Sequence, residues 1–351
     1  MSNQVATLQK WRDRILAGWE AIVGRRWLLP VLLGIGFVLS FLIPHFRLIN
    51  PYIQLVVMYV GINIILATSL NLVNGYMGEF SVGHAGFMAV GAYVSVLLTM
   101  RVIPNNLAAW LFPLAILGGG VAAALVGLVV AVPSFRTRGD YLAIVTLAFN
   151  MIVKSIIENI DAIGGPRGIP GIPKLTTMPW VFVCTIVAVW AMRNLVYSNF
   201  GRGILSLRED EIASDLMSVN TRQVKLLGFM VSSFFAGVAG ALFAHLLQFI
   251  SPKVFDILKS TDILIMVYLG GIGSIAGSIL GATIFTILLE VLRPLGYFRF
   301  VLMPLLLIFL MLYRPRGIMG LREFRWFIPG YELFASKIWR EKREVSDAPA
   351  S

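Results

Sequence analysis

Charge is scarce in this chain. Asp, Glu, Lys and Arg make up 13% of its 351 residues, where a soluble domain carries about a quarter. Hydrophobic residues reach 58% and the mean hydropathy is +0.83. A chain this apolar cannot cover a water-facing surface with polar groups, so its solvent is lipid. Cysteine occurs once, at Cys184, which excludes a disulfide framework within the chain and a Cys-rich metal site. The three histidines, His45, His84 and His245, are spread too widely to favour a metal cage. No Gly-x-x-x-x-Gly-Lys-Ser/Thr loop is present, so the chain is not expected to hold ATP itself. His-Glu-x-x-His, Gly-x-Ser-x-Gly and Cys-x-x-Cys are also missing, and nothing nominates the nucleophile and base of a hydrolase. Neither enzymatic activity nor a bound cofactor is expected. An Arg-rich voltage-sensor helix is absent as well.

What is present is a series of long apolar runs. Each membrane span needs roughly 20 apolar residues. Runs nearly free of charge lie near 27–43, 52–73, 84–100, 107–132, 141–160, 179–197, 224–250, 261–273, 275–292 and 300–313. Only helices or closed barrels satisfy the backbone in lipid, so the expected fold is an all-α polytopic membrane protein with about ten transmembrane helices. The segments 74–92 and 268–282 are glycine-rich and are expected to be broken or re-entrant. The organisation expected is a segment 1–26, a transmembrane domain 27–320 with a long connection at 198–223, and a basic tail 321–351.

The formal charge of +11 suggests nucleic acid until its distribution is read. With the N-terminus inside, twenty of the 29 Lys and Arg residues fall in or beside cytoplasmic segments. The positive-inside bias therefore favours both termini in the cytoplasm, and the charge is topological. The polar start of some 26 residues, with no small-residue cleavage site after the apolar run, does not read as a cleavable signal. Leu8, Trp11, Ile15, Trp19 and Ile22 recur at helical spacing among basic residues, as in an amphipathic helix on an anionic surface. Phe324, Trp326, Tyr331, Phe334 and Trp339 suggest an aromatic belt, and the residues beyond about 341 a disordered tail.

Four segments carry information. In 75–92, glycines at 78, 83, 86 and 91 permit close helix approach or a break, with Glu79, Ser81 and His84 beside it. A pathway-lining broken helix is one reading, and tight packing around satisfied polar side chains is the other. In 136–173, Thr146, Asn150 and Lys154 share one helix face, and Glu158 extends the stripe. Such a stripe faces protein or water rather than lipid; Lys154 can pair with Glu158 or snorkel outward. The Gly/Pro-rich stretch 164–173 is expected to form an ordered external loop. In 198–222, a short amphipathic helix over about 203–217 sets Ile204, Leu207, Ile212 and Leu216 against Arg208, Glu209, Asp210, Glu211 and Asp215. It is either a solvated loop helix or an element offered to a soluble partner. In 260–282, Gly270, Gly271 and Gly273 interrupt an apolar run before Ser274, and Gly277 and Gly281 form a Gly-x-x-x-Gly pair. Two interrupted segments in the two halves fit a pseudo-duplicated transporter with its path between the repeats, or two close-packing helix faces.

The stretches 78–87, 138–149, 164–173, 201–214, 249–252 and 270–282 together resemble the LivM-type permease subunits of bacterial ABC importers for branched-chain and related amino acids. They occur in order over about 52–320. The resemblance implies a bacterial inner-membrane subunit that pairs with a second, LivH-like permease subunit. Two cytoplasmic ATPase subunits, which use the ATP, and a periplasmic substrate-binding protein would complete the importer. It also implies that the 201–217 region is a coupling helix, with Arg202, Arg208, Glu209, Asp210, Glu211 and Asp215 docking on an ATPase. The path is expected near Ser81, Gly83, His84 and Gly86, near Thr146 and Asn150, and near Gly270, Gly271, Gly273 and Ser274, where helix ends can meet a carboxylate and an ammonium. Urea and short amides are alternative cargoes. A stand-alone secondary transporter or channel would need carboxylates in mid-span, whereas Glu158 and Glu290 lie near span ends. A purely structural or regulatory subunit would leave the polar stripe and the glycine breaks unexplained.

Overall fold

The computed structural model describes residues 28–46, 49–104, 107–135, 141–313, 317–320 and 323, and these are mostly helical. The expected amphipathic helix of 1–26, the basic segment 136–140, the aromatic belt of 324–339 and the tail beyond 341 lie outside the described residues. The chain divides into two compact units, 1–51 and 52–351. The first holds α1 (Leu28–His45). Its Ser40 hydroxyl donates to the Phe37 carbonyl at 2.7 Å, which satisfies a polar group inside an apolar helix.

Among the described residues, the other helices lie in the second unit, apart from Pro51, the first residue of the helix that opens it. In order they are α2 (Pro51–Asn71), α3 (His84–Leu97), α4 (Ala108–Ser134), α5 (Tyr141–Asn159) and α6 (Met178–Val196). Two short helices follow, α7 (Asn199–Glu209) and α8 (Glu211–Leu216), then α9 (Thr221–Leu247), α10 (Ile257–Gly270), α11 (Ile275–Val291) and α12 (Arg299–Tyr313). Wide turns closing i→i+5 hydrogen bonds extend α2 through Leu72–Tyr76 and α3 through Leu98–Val102. Among the described residues, six helices are long and apolar enough to cross a membrane: Pro51–Tyr76, His84–Val102, Ala108–Ser134, Tyr141–Asn159, Met178–Val196 and Thr221–Leu247. The 14 residues of α10 reach roughly 21 Å, short of the ~30 Å hydrocarbon core. Trp110, Leu114, Leu117, Val121, Leu125 and Val129 of α4 are exposed at three- and four-residue spacing, a stripe suited to lipid.

Three helices, α3, α4 and α9, pack at backbone contact through small residues. A Cβ on Gly91 would stand 2.3 Å from the Gly237 Cα, and one on Gly240 would stand 2.0 Å from the Met88 carbonyl oxygen. Close packing of this kind requires glycine at 91. On α5, Leu142, Thr146, Asn150, Val153 and Ile157 are buried while Ile144, Met151, Ile152 and Ile156 are exposed, so the polar stripe faces protein.

The 164–173 stretch is ordered. Short 3-10 turns at Asp161–Ile163 and Gly165–Arg167 lead into the two-residue strand β1 (Ile169–Pro170), which pairs antiparallel with β2 (Phe249–Ile250). Ile172 N–H donates to the Gln248 carbonyl at 3.2 Å. His245 Nδ1 lies 3.1 Å from the Pro173 carbonyl oxygen and Nε2 lies 3.4 Å from Thr99 Oγ1, so this histidine fastens the loop to α9 and the end of α3.

Candidate functional site

Most of the residues expected to line a path gather around two helix breaks. The first covers the seven residues between the wide turn ending at Tyr76 and the start of α3 at His84. Gly78 turns the chain at φ +76°, a conformation that favours glycine. Asn74 closes the loop with two hydrogen bonds to Ser81: its Nδ2 donates to the Ser81 carbonyl at 3.3 Å and its Oδ1 accepts from the Ser81 N–H at 3.1 Å. The same loop docks on α5, where Val82 N–H donates to Thr146 Oγ1 at 3.1 Å. A Cβ on Gly83 would stand 2.3 Å from the Thr146 carbonyl oxygen, and one on Gly86 would stand 3.1 Å from Asn150 Oδ1. Ser81, Gly83, His84, Gly86, Thr146 and Asn150 are thus brought together. His84 is buried, with Nε2 2.8 Å from Ser69 Oγ, and Ser232 Oγ donates to the Ser69 carbonyl at 2.6 Å. Among the described residues, Ser81 Oγ, Asn150 Oδ1 and Tyr93 Oη are buried without a hydrogen-bond partner.

The second break is the tight turn between α10 and α11, with Gly271 at φ +134° and Gly273 at φ +75°. Gly270 serves packing, since a Cβ there would stand 1.9 Å from the Gly277 carbonyl oxygen. Ser274 caps α11 by accepting from the Gly277 N–H at 2.9 Å. Asn71, at the end of α2, reaches into this turn. Its Nδ2 donates to the Ser274 carbonyl at 2.8 Å and to Ser278 Oγ at 2.7 Å, and its Oδ1 accepts from the Gly273 N–H at 2.9 Å. A Cβ on Gly75 would stand 2.4 Å from the Gly273 nitrogen, so the wide turn that leads into the first break touches the second. Glu323 completes the site. Its carboxylate accepts from the N–H groups of Ile275 and Ala276 and from the Tyr76 hydroxyl, placing an anion at the start of α11.

The connection between α6 and α9 departs from the single helix expected over 203–217. Asp210 breaks it into α7 and α8, because its carboxylate accepts from the Ile212 and Ala213 N–H groups at 2.9 and 3.0 Å and caps a new helix. The break sends the apolar positions to different places. Ile204 and Leu207 on α7 are buried, whereas Ile212, Leu216 and Met217 are 68%, 81% and 80% exposed. Arg208 lies on the first break: its Nη1 donates to the Gly75 carbonyl at 3.4 Å, its Nη2 pairs with Glu209 at 2.9 Å, and its stem packs on Gly78. Arg202 donates to Asn199, and Asp215 accepts from the Thr221 hydroxyl at 3.4 Å. Lys225 of α9 pairs with Glu79 of the first break at 2.6 Å and with Glu211 of α8 at 2.8 Å.

Lys154 also departs from expectation. It pairs with Asp256, the cap of α10, at 2.9 Å rather than with Glu158, because the cap carboxylate faces it from the neighbouring element. The hydrogen bond from Lys154 holds the Asp256 carboxyl below the usual carboxylate range, helped by the Ile257 N–H and opposed by burial. Asn71, Lys225, Asp256 and Glu323 were not singled out as site residues by the sequence patterns. Asn71 carried one usable signal, an amide inside an apolar run.

The family described as "branched-chain amino acid transport system / permease component" matches residues 52–313. The chain is 33% identical over 294 residues to the high-affinity branched-chain amino acid transport system permease protein LivM of Escherichia coli (strain K12), covering 74% of this chain and 68% of that one. It is 25% identical over 284 residues to the corresponding LivH protein of the same strain, covering 74% and 91%. Identity to that strain's ribose import permease protein RbsC is 26% over 314 residues, covering 79% and 91%. No solved structure matches.

Proposed function

We infer the function from a firm premise: this chain belongs to the permease-component family of branched-chain amino acid transport systems. It is a permease subunit of an ABC importer in a bacterial inner membrane, and it forms half of a translocation path with a second, LivH-like subunit. Branched-chain or related neutral amino acids are the cargo. Two ATPase subunits in the cytoplasm supply the energy, and a binding protein outside delivers the substrate. Both termini face the cytoplasm, and the shorter helices α1, α10, α11 and α12 complete about ten passages together with the six long ones. The two breaks are corresponding segments of two pseudo-repeats, roughly 190 residues apart.

The observation that carries this reading is the α7–α8 element. Its outer face offers Ile212, Leu216 and Met217 to solvent, rimmed by Glu209, Asp210 and Asp215, while Arg208 rests on the first break. A partner that grips α8 therefore pulls on a helix interruption rather than on a rigid helix. Closure of two ATPases around ATP would shift the breaks between two arrangements, opening the path to alternate sides. The buried Ser81 Oγ and Asn150 Oδ1 atoms supply polar groups that a passing ammonium or amide can engage.

The test is a double substitution, Leu216→Glu with Met217→Glu, made in the assembled importer. Both side chains are exposed, so the fold is retained. The expected result is loss of ATPase co-purification with the second permease subunit still bound. Undiminished ATPase recovery would overturn the docking assignment.

A further inference from the structure

We propose that Lys225 is the positioning residue that transmits movement of α8 to the first break, a role that deepens the permease reading and rests on it. Lys225 projects from the first turns of α9, which is held at backbone contact to α3 through Gly240 and to both α3 and α4 through Gly237. It is therefore a fixed post. The two carboxylates it holds stand on two separate, shorter elements. Glu79 lies midway along a seven-residue non-helical segment, and Glu211 opens a six-residue helix set off by Asp210.

The two ion pairs differ in enclosure. The Lys225 and Glu79 side chains are 9% and 19% exposed, whereas Glu211 is 51% exposed. The Glu79 pair is shielded from screening and persists, while the Glu211 pair is open to water and can part. Phe135 lies 5.7 Å from the ammonium and offers its ring face, and Arg208, the neighbouring cation at the break, is engaged with Glu209 and the Gly75 carbonyl. One lysine therefore balances two carboxylates from separate elements. With Lys225 removed, Glu79 and Glu211 lose their shared counterion and repel, which separates α8 from the break. When a partner draws α8 outward, the exposed Glu211 pair opens first. Lys225 then acts on Glu79 alone, and the break receives a changed pull. No covalent step is involved.

The experiment uses the complete importer, with its ATPases, second permease subunit and binding protein, in liposomes, and measures labelled leucine taken up per ATP hydrolysed. Lys225→Met keeps the length of the stem and removes the charge; uptake per ATP is expected to fall about tenfold, the scale of one coupling interaction. Lys225→Arg restores most of it, which a general loss of packing would not allow. Glu211→Gln, at an exposed position that leaves folding intact, lowers the same ratio. Wild-type uptake per ATP in Lys225→Met overturns the proposal. If Lys225→Met fails to assemble, an unchanged ratio in Glu211→Gln overturns it equally. Absence of ATP-dependent uptake in the wild-type complex would instead strike the importer reading itself.

Discussion

At the scale of single residues, a few polar side chains inside apolar surroundings hold the interrupted backbone in shape. Asn71 satisfies a backbone N–H, a backbone carbonyl and a hydroxyl of the second break while anchored at the end of α2. The Ser278 N–H and hydroxyl also donate to the Ser274 carbonyl, at 3.0 Å each, so the Gly273 N–H is the group that depends most on Asn71. Asn71→Leu is expected to cost about 1–3 kcal/mol, the cost of one abandoned buried N–H. Thermal unfolding of the purified permease pair in detergent measures it, and an unchanged midpoint would remove the assigned role. Gly240→Val is expected to prevent folding, because the new side chain would meet the Met88 carbonyl. Size-exclusion of the variant reads this directly as loss of the monodisperse peak. The sequence made such glycines visible as a class. It did not separate Gly91, a packing residue, from Gly78, a turning residue, because glycine's small volume and its positive φ leave the same letter. Asn71 stood out only as an amide in an apolar run; its partners lie some 200 positions away, so its role was hidden.

Elements were more legible than their joints. The apolar runs located helices because lipid and a tight core both demand unbroken hydrophobic sequence. The helix expected over 203–217 was divided because Asp210, read as one more charge on a polar face, acts as a cap. Asp210→Ala is expected to weaken α8 by about 1 kcal/mol, or some fivefold faster amide exchange at Ile212 and Ala213. Exchange as slow as in the wild type would contradict the capping account. The polar stripe of α5 was legible in its direction, since intramembrane amides and hydroxyls avoid lipid. Its partner for Lys154 was not, because α10 lies a hundred residues on. That tether, between α5 and the cap of α10, also has a definite pH dependence. A carboxyl whose pKa is depressed on folding contributes stability that is present above its unfolded value and lost as pH falls through its folded value. The stability difference between wild type and Lys154→Met is therefore expected to persist through neutral pH and to vanish only in acid, below the ordinary carboxylate range. A difference that disappeared near neutrality would refute the tether.

For the molecule as a whole, the composition points to the solvent, the ordered motifs point to the family, and the geometry links the exposed α8 to the helix breaks. The exposed tip of α8, the Arg208 and Lys225 contacts and the first break form one continuous chain of contacts. The residues leading into that break touch the second through Gly75 and Asn71. Glu323, beyond the residues matched by the family, ties the second break to Tyr76 from a segment that carries no transport motif. Its replacement by Gln removes the negative charge at the start of α11 and is expected to lower thermal stability by about 1 kcal/mol. Equal stability of the two forms would show that the charge contributes nothing there.

The most direct measurement is uptake of labelled leucine into liposomes carrying the complete importer, with alanine and urea as competitors, in the presence and absence of the ATPase subunits. The account predicts uptake only with the ATPases and ATP, with alanine competing and urea ineffective. Accumulation by the permease pair without the ATPases would contradict it, and would return α7 and α8 to the status of an ordinary loop.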